Sequence, residues 1–131
     1  MLDTLIRPVL FQPYIWIVRD ANATSDPSII QPQQGWLRTG GMRSLALRTR
    51  VLYSSGTFTL FLESCDTEDG YFEPLDRGIN PTASSTPSDA YYGRDRPKSD
   101  YQRVREIVRW RVGEITGAIE LCMQMRVTLY A

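Results

Sequence analysis

The run Ser44-Leu45-Ala46-Leu47-Arg48-Thr49-Arg50-Val51-Leu52-Tyr53-Ser54-Ser55-Gly56-Thr57-Phe58-Thr59-Leu60-Phe61-Leu62-Glu63-Ser64 decides the fold. Leu45, Leu47, Thr49, Val51 and Tyr53 fall on one side of an extended chain, and Ala46, Arg48 and Arg50 on the other. That is a period of two, the mark of a half-buried strand. Ser54-Ser55-Gly56 is a turn signal, after which Thr57 to Ser64 alternates again with Phe58, Leu60 and Leu62 inward. Two alternating runs about a short turn read as an antiparallel hairpin. Matching the apolar faces fixes the register, since a slip of one residue turns a strand inside out. It places Tyr53 opposite Phe58, Val51 opposite Leu60, and Arg48 opposite Glu63 as a cross-strand charge pair on the outer face.

The same period governs the C-terminal part. Arg103, Arg105, Ile107, Arg109 and Arg111 share one face, and Val104, Val108, Trp110 and Val112 share the other with Glu106. After Gly113 to Gly117, Ile119, Leu121, Met123, Met125, Val127 and Leu129 point inward, while Glu120, Cys122, Gln124, Arg126 and Thr128 point outward. Either plausible register sets Glu120 opposite Arg109 or Arg111. Tyr14 to Arg19 is a β-branched and aromatic strand, Asp20 to Gln34 a loop, and Trp36-Leu37 a short extended piece ending at Gly40-Gly41. Period 3.6 is almost absent. The expected fold is all-β: one antiparallel β-sandwich or jelly-roll domain over residues 1–131.

Two segments stand apart from this order. The first thirteen residues form an N-terminal arm whose Leu2, Leu5, Ile6, Val9, Leu10 and Phe11 are too apolar for a free tail. Residues 76–100 read as one long loop rich in Pro, Ser and Thr, and loops of that length in compact domains are usually functional or disordered. Both are expected to pack on neighbouring molecules. The interface candidates are Leu5, Ile6, Val9, Leu10, Phe11, Tyr91, Tyr92, Arg94 and Arg96.

Composition narrows the function. The chain has 131 residues, 15 basic and 15 acidic side chains, a formal net charge of zero and no histidine. A neutral chain lacks the broad basic field that drives non-specific nucleic-acid binding. Without histidine there is no Ser-His-Asp or Cys-His arrangement, and most catalytic zinc sites are excluded. Lys98 is the only lysine, so 14 of the 15 basic side chains are arginine. Arginine suits planar, partly buried pairing and is enriched at protein interfaces where lysine is depleted; codon bias in a GC-rich genome fits the ratio equally. Cys65 and Cys122 are too few for a disulfide framework and read as free thiols. The first residues lack a basic start followed by an apolar run, and no stretch is long enough to span a membrane as a helix, which predicts assembly in a host cytoplasm. Asn22-Ala23-Thr24 is then a chance sequon.

No catalytic, cofactor-binding or metal-ligating residue is assigned. Asp66, Glu68 and Asp69 before Gly70 are acidic but lack the spacing of a calcium loop. No carboxylate sits in a glycosidase-like motif. Glu106 interrupts an apolar face and is read as a sheet-edge carboxylate paired with arginine or lying at a subunit contact. Gly40-Gly41 lacks the strand-to-helix setting and lysine of a phosphate loop. The arginine stripe from Arg103 to Arg111 could track phosphates, but the neutral total and the carboxylates expected opposite it favour ion pairs within a protein contact. The expected pairs involve Arg48, Glu63, Arg109, Arg111 and Glu120.

Thr59-Leu60-Phe61-Leu62-Glu63-Ser64-Cys65-Asp66, followed by Gly70-Tyr71-Phe72-Glu73-Pro74-Leu75, resembles the strand, Glu-Ser-x-Asp-Gly and aromatic element of discoidin-like jelly rolls and of small β-sandwich proteins of phage virions. Tyr101-Gln102-Arg103-Val104-Arg105 is similar to the strand start that follows in such domains. The likeness runs from about Ser44 to Ala131, with Thr67-Glu68-Asp69 as an insertion in the turn. It implies a binding or structural module without catalytic residues. Two functions follow as expectations. One is a non-enzymatic virion subunit, for capsid decoration or head-tail joining, whose partners are other protein subunits, with neither membrane nor direct nucleic-acid binding. The other is a carbohydrate-binding module using Tyr91, Tyr92, Trp16 or Trp36.

Overall fold

A computed structural model of the chain describes residues 6–19, 28–42, 44–75, 77–81, 87–92, 104–115 and 119–130. The alternation seen in the sequence becomes strands whose apolar sides meet. These are β1 (Ile6–Arg19), β2 (Ile29–Ile30), β3 (Leu37–Arg38), β4 (Ser44–Ser54), β5 (Thr59–Cys65), β6 (Glu73–Pro74), β7 (Ser88–Tyr92), β8 (Ile107–Gly113) and β9 (Ile119–Tyr130). They form two antiparallel sheets: a first of four strands in the order β1-β9-β4-β7, and a second of five in the order β2-β8-β5-β6, with β3 also on β8.

Among the described residues, β2 and β3 behave as one strand interrupted by a 3-10 turn at Gln33–Gly35, since both pair antiparallel with β8. Gln31 bridges the gap. Its side-chain oxygen accepts the Trp110 N–H at 3.1 Å, and its amide nitrogen donates to the Gly35 carbonyl at 2.7 Å. With that pair counted once, β1 joins β9, β2/β3 joins β8, β4 joins β7, and β5 joins β6: first with last, then inward step by step. This nesting is the jelly-roll form of the β-sandwich.

Between the sheets lies one core built from the inward positions. It includes Leu45, Leu47 and Val51 of β4, Leu60 and Leu62 of β5, Val108, Trp110 and Val112 of β8, and Ile119, Leu121, Met123, Met125, Val127 and Leu129 of β9. Burying each such aliphatic side chain contributes roughly 1.5–3 kcal/mol before entropy is charged against it.

Five expectations change. Ser54-Ser55-Gly56 is not a hairpin turn: it carries the chain from the first sheet to the second, so β4 and β5 lie across the core from each other. Arg48 and Glu63 are therefore on opposite outer surfaces. Tyr53 is 48% exposed, because the register slips between Val51 and Tyr53 and turns the strand end over. The arm is absorbed from Ile6 onward into β1, an edge strand that tolerates Pro8 and Pro13. The long loop contains a strand, β7, paired with Leu45 to Thr49 of β4. Glu120 does not meet Arg109 or Arg111, because β8 and β9 belong to different sheets; its register partner is Val18.

Candidate functional site

Each sheet turns one face away from the core, and the two faces differ in kind. On the second sheet Glu63 faces Arg109 across β5 and β8, and Phe61 faces Arg111. Arg109 Nε donates to Glu63 Oε1 at 2.7 Å, and Arg111 Nε donates to Oε2 at 3.1 Å. A terminal nitrogen of Arg111 also donates to Ser28 Oγ at 2.9 Å. The Arg109 guanidinium lies 3.8 Å from the Phe72 ring centre and 4.9 Å from that of Trp36, and the Arg111 guanidinium 4.2 Å from that of Phe61. Trp36 and Phe72 meet edge-on at 4.9 Å, and the indole N–H donates to the Gln31 carbonyl at 2.7 Å. Phe72 also packs with Cys65 and Ile107 in a second small core.

This roof explains why all seven residues of β5 are buried although only alternate ones face the main core. The Glu63 side chain is 4% exposed, against 15% for Arg109 and 22% for Arg111. Charge-assisted hydrogen bonds and cation–π contacts are strong in such a desolvated place. Both carboxylate oxygens are engaged, so the cluster holds the sheet face shut.

The nearby acidic turn is tied down in a similar way. Asp66 accepts from Arg105 at 3.0 Å, and Glu68 pairs with Arg38 and accepts from Gln33 at 3.0 Å. No three His, Cys, Asp or Glu side chains among the described residues converge to hold a metal ion. Glu106 is half-buried just before β8, and its N–H reaches Asp66 at 3.4 Å.

The outer face of the first sheet is open. Trp16 and Val18 alternate with buried Ile15 and Ile17, and are 63% and 62% exposed. Trp16 is opposite Cys122, which on its other side is opposite Tyr53, so a small buried residue lies between two large exposed aromatic ones. Leu52, in the bulge, is also exposed. Farther along the face, Arg48 and Arg126 are directly opposed. Asp89 of the neighbouring strand accepts two hydrogen bonds from Arg48, at 2.9 and 3.1 Å. These bonds hold the Asp89 carboxyl below its ordinary range and raise Arg48. A shallow cavity of about 410 Å³ lies over Arg48, Asp89, Tyr91, Arg126 and Thr128.

Arg109, Glu63 and Arg111, assigned to ion pairs from the sequence, are brought into one cluster; Arg48 pairs instead with Asp89, and Glu120 lies in neither. Tyr92 is 1% exposed and belongs to the core, whereas Tyr91 is half-buried with its ring 6.1 Å from that of Tyr130. Ile6, Val9, Leu10 and Phe11 fall within β1, and Leu5, Arg94 and Arg96 lie outside the described residues. Sequence reasoning missed Gln31 and Asp89, which carry no local pattern, and Phe72, whose partners are distant in sequence.

No protein-family model matches the chain, and no curated protein matches it. Fold and surfaces define the class: a jelly-roll β-sandwich with one outer face sealed by an ion-pair and aromatic layer and the other exposing apolar side chains.

Proposed function

We propose that this chain is a non-enzymatic structural subunit of a larger protein assembly, of the kind that decorates a capsid or joins head to tail in a phage particle. The observation that carries this reading is the exposed apolar strip of Trp16, Val18 and Tyr53 on the outer face of the first sheet, a face that farther along also carries Arg48 and Arg126. The carbohydrate-binding alternative draws less support. It needs open aromatic platforms, but Tyr92 is buried, Tyr91 packs near Tyr130, and Trp36 is packed against Phe72 and Arg109; of its four candidates, Trp16 alone is widely exposed.

Density-gradient fractionation of the producing culture, probed with an antibody to this chain, tests the reading. It expects the chain in a particle band at a fixed ratio to the main shell protein, and loss of that association on Tyr53→Lys. Finding the chain only in the unassembled fractions overturns it. Trp16-dependent binding on a glycan array would favour the alternative.

A further inference from the structure

We propose that the Ile15–Arg19 end of β1 pairs antiparallel with the same segment of a second copy, joining two first sheets across a twofold axis. This deepens the assembly reading by naming one neighbour. β1 ends the order of its sheet: β9 takes one side, and among the described residues no strand takes the other. An open edge is a template for another strand unless prolines, charges, bulges or shortness blunt it.

β1 carries its prolines and register breaks only before Ile15. Pro8 and Pro13 lie there, and the register breaks between Val9 and Gln12 and again between Gln12 and Ile15. From Ile15 to Arg19 the register is unbroken and no charge occurs before Arg19. The opposite edge, β7, is only five residues long and bears Asp89 in its ion pair.

The exposed Trp16 and Val18, complementary to each other across a twofold axis, make a second copy the occupant, and strand parity fixes its register. Residues directly opposite in an antiparallel pair face the same side, so in a symmetric pair the axis must pass through a residue and not between two. Only an axis at Ile17 uses the whole regular run, pairing Ile15 with Arg19, Trp16 with Val18, and Ile17 with itself. Each exposed indole then covers the other copy's exposed valine. The two Arg19 positions fall about 13 Å apart along the ribbon, beyond strong repulsion at physiological salt. An axis at Arg19 would instead set two cations face to face, which is unfavourable. A twofold contact closes on itself, so pairing stops at a dimer.

Sedimentation equilibrium on the full chain tests the pairing, with an expected mass of twice 15.0 kDa. Val18→Lys and Trp16→Lys, both at exposed positions, should each weaken the dimer by about tenfold or more with unchanged circular dichroism. Arg50→Glu, on the same face of central β4, should leave it intact. In a Cys122→Ser background, Trp16→Cys with Val18→Cys together should oxidise to a covalent dimer, whereas neither single cysteine should. A monomer at millimolar concentration, or a dimer insensitive to Val18→Lys, overturns the pairing. The particle fractionation still judges the assembly reading separately.

Discussion

Removing Glu63 leaves Arg109 and Arg111 under their aromatic roof without the carboxylate that both bind. Breaking a buried ion pair from one side costs about 3–5 kcal/mol, because an uncompensated charge stays desolvated. The guanidinium groups here keep 15% and 22% exposure and can turn partly to water, which favours the lower end. Glu63→Ala is therefore expected to cost about 3 kcal/mol. With an unfolding entropy of about 2.1 cal/mol/K per residue, 131 residues give about 275 cal/mol/K, so the melting temperature should fall by about 11 °C. Glu63→Gln keeps the shape and one acceptor, and should cost about 2 kcal/mol. Replacing all three groups, as Glu63→Leu with Arg109→Met and Arg111→Met, should recover most of the loss, because no buried charge remains. Urea unfolding followed by circular dichroism, with calorimetry, measures each step. A loss below about 1 kcal/mol for Glu63→Ala, the range of an exposed pair, would refute the view that this layer is a sealed, desolvated cluster.

Gln31→Ala should cost about 1–3 kcal/mol by leaving the buried Trp110 N–H without its acceptor, and hydrogen exchange at Trp110 should accelerate; unchanged exchange contradicts the bridging role. Gly78→Ala should destabilise by at least about 1 kcal/mol, since φ is +82° and a Cβ would lie 2.6 Å from Thr59 Cγ2 and 3.0 Å from the Leu60 carbonyl oxygen; an unchanged urea midpoint contradicts this. For Asp89, the Arg48 hydrogen bonds lower the folded-state pKa beneath its ordinary 3.8, so the pair's stabilisation is present above that value and lost as pH falls through the lower one. A carboxyl-carbon titration should show this low midpoint, and Arg48→Ala should return it to the ordinary range; equal midpoints would break the assignment.

The sequence made faces legible but not partners. Leu45, Leu47, Val51, Leu60, Leu62 and the alternate residues of β9 are buried as their period requires, because period two reports which side of a strand is dry. It does not report whether the next strand lies beside it or across the core. Arg48 and Glu63 thus lie on outer faces, as their period requires, but on those of different sheets. Tyr53 escaped the period through the bulge, which leaves no mark in composition. The burial of Phe61, Glu63 and Cys65 was illegible because their cover includes Phe72, Arg109, Arg111 and Ile107, some of it supplied more than forty positions away. β7 was hidden by its shortness and by Pro87 before it.

The nested pairing also orders the birth of the fold. β9, last of the nine described strands, is the seam to which both β1 and β4 are joined in the first sheet. Until it emerges from the ribosome, those two strands share no partner, and closing them over such separations is slow. During synthesis the Ile15-Trp16-Ile17-Val18 run therefore waits without the strand that will pair it, and it is this run through which the finished protein is proposed to meet its own copy.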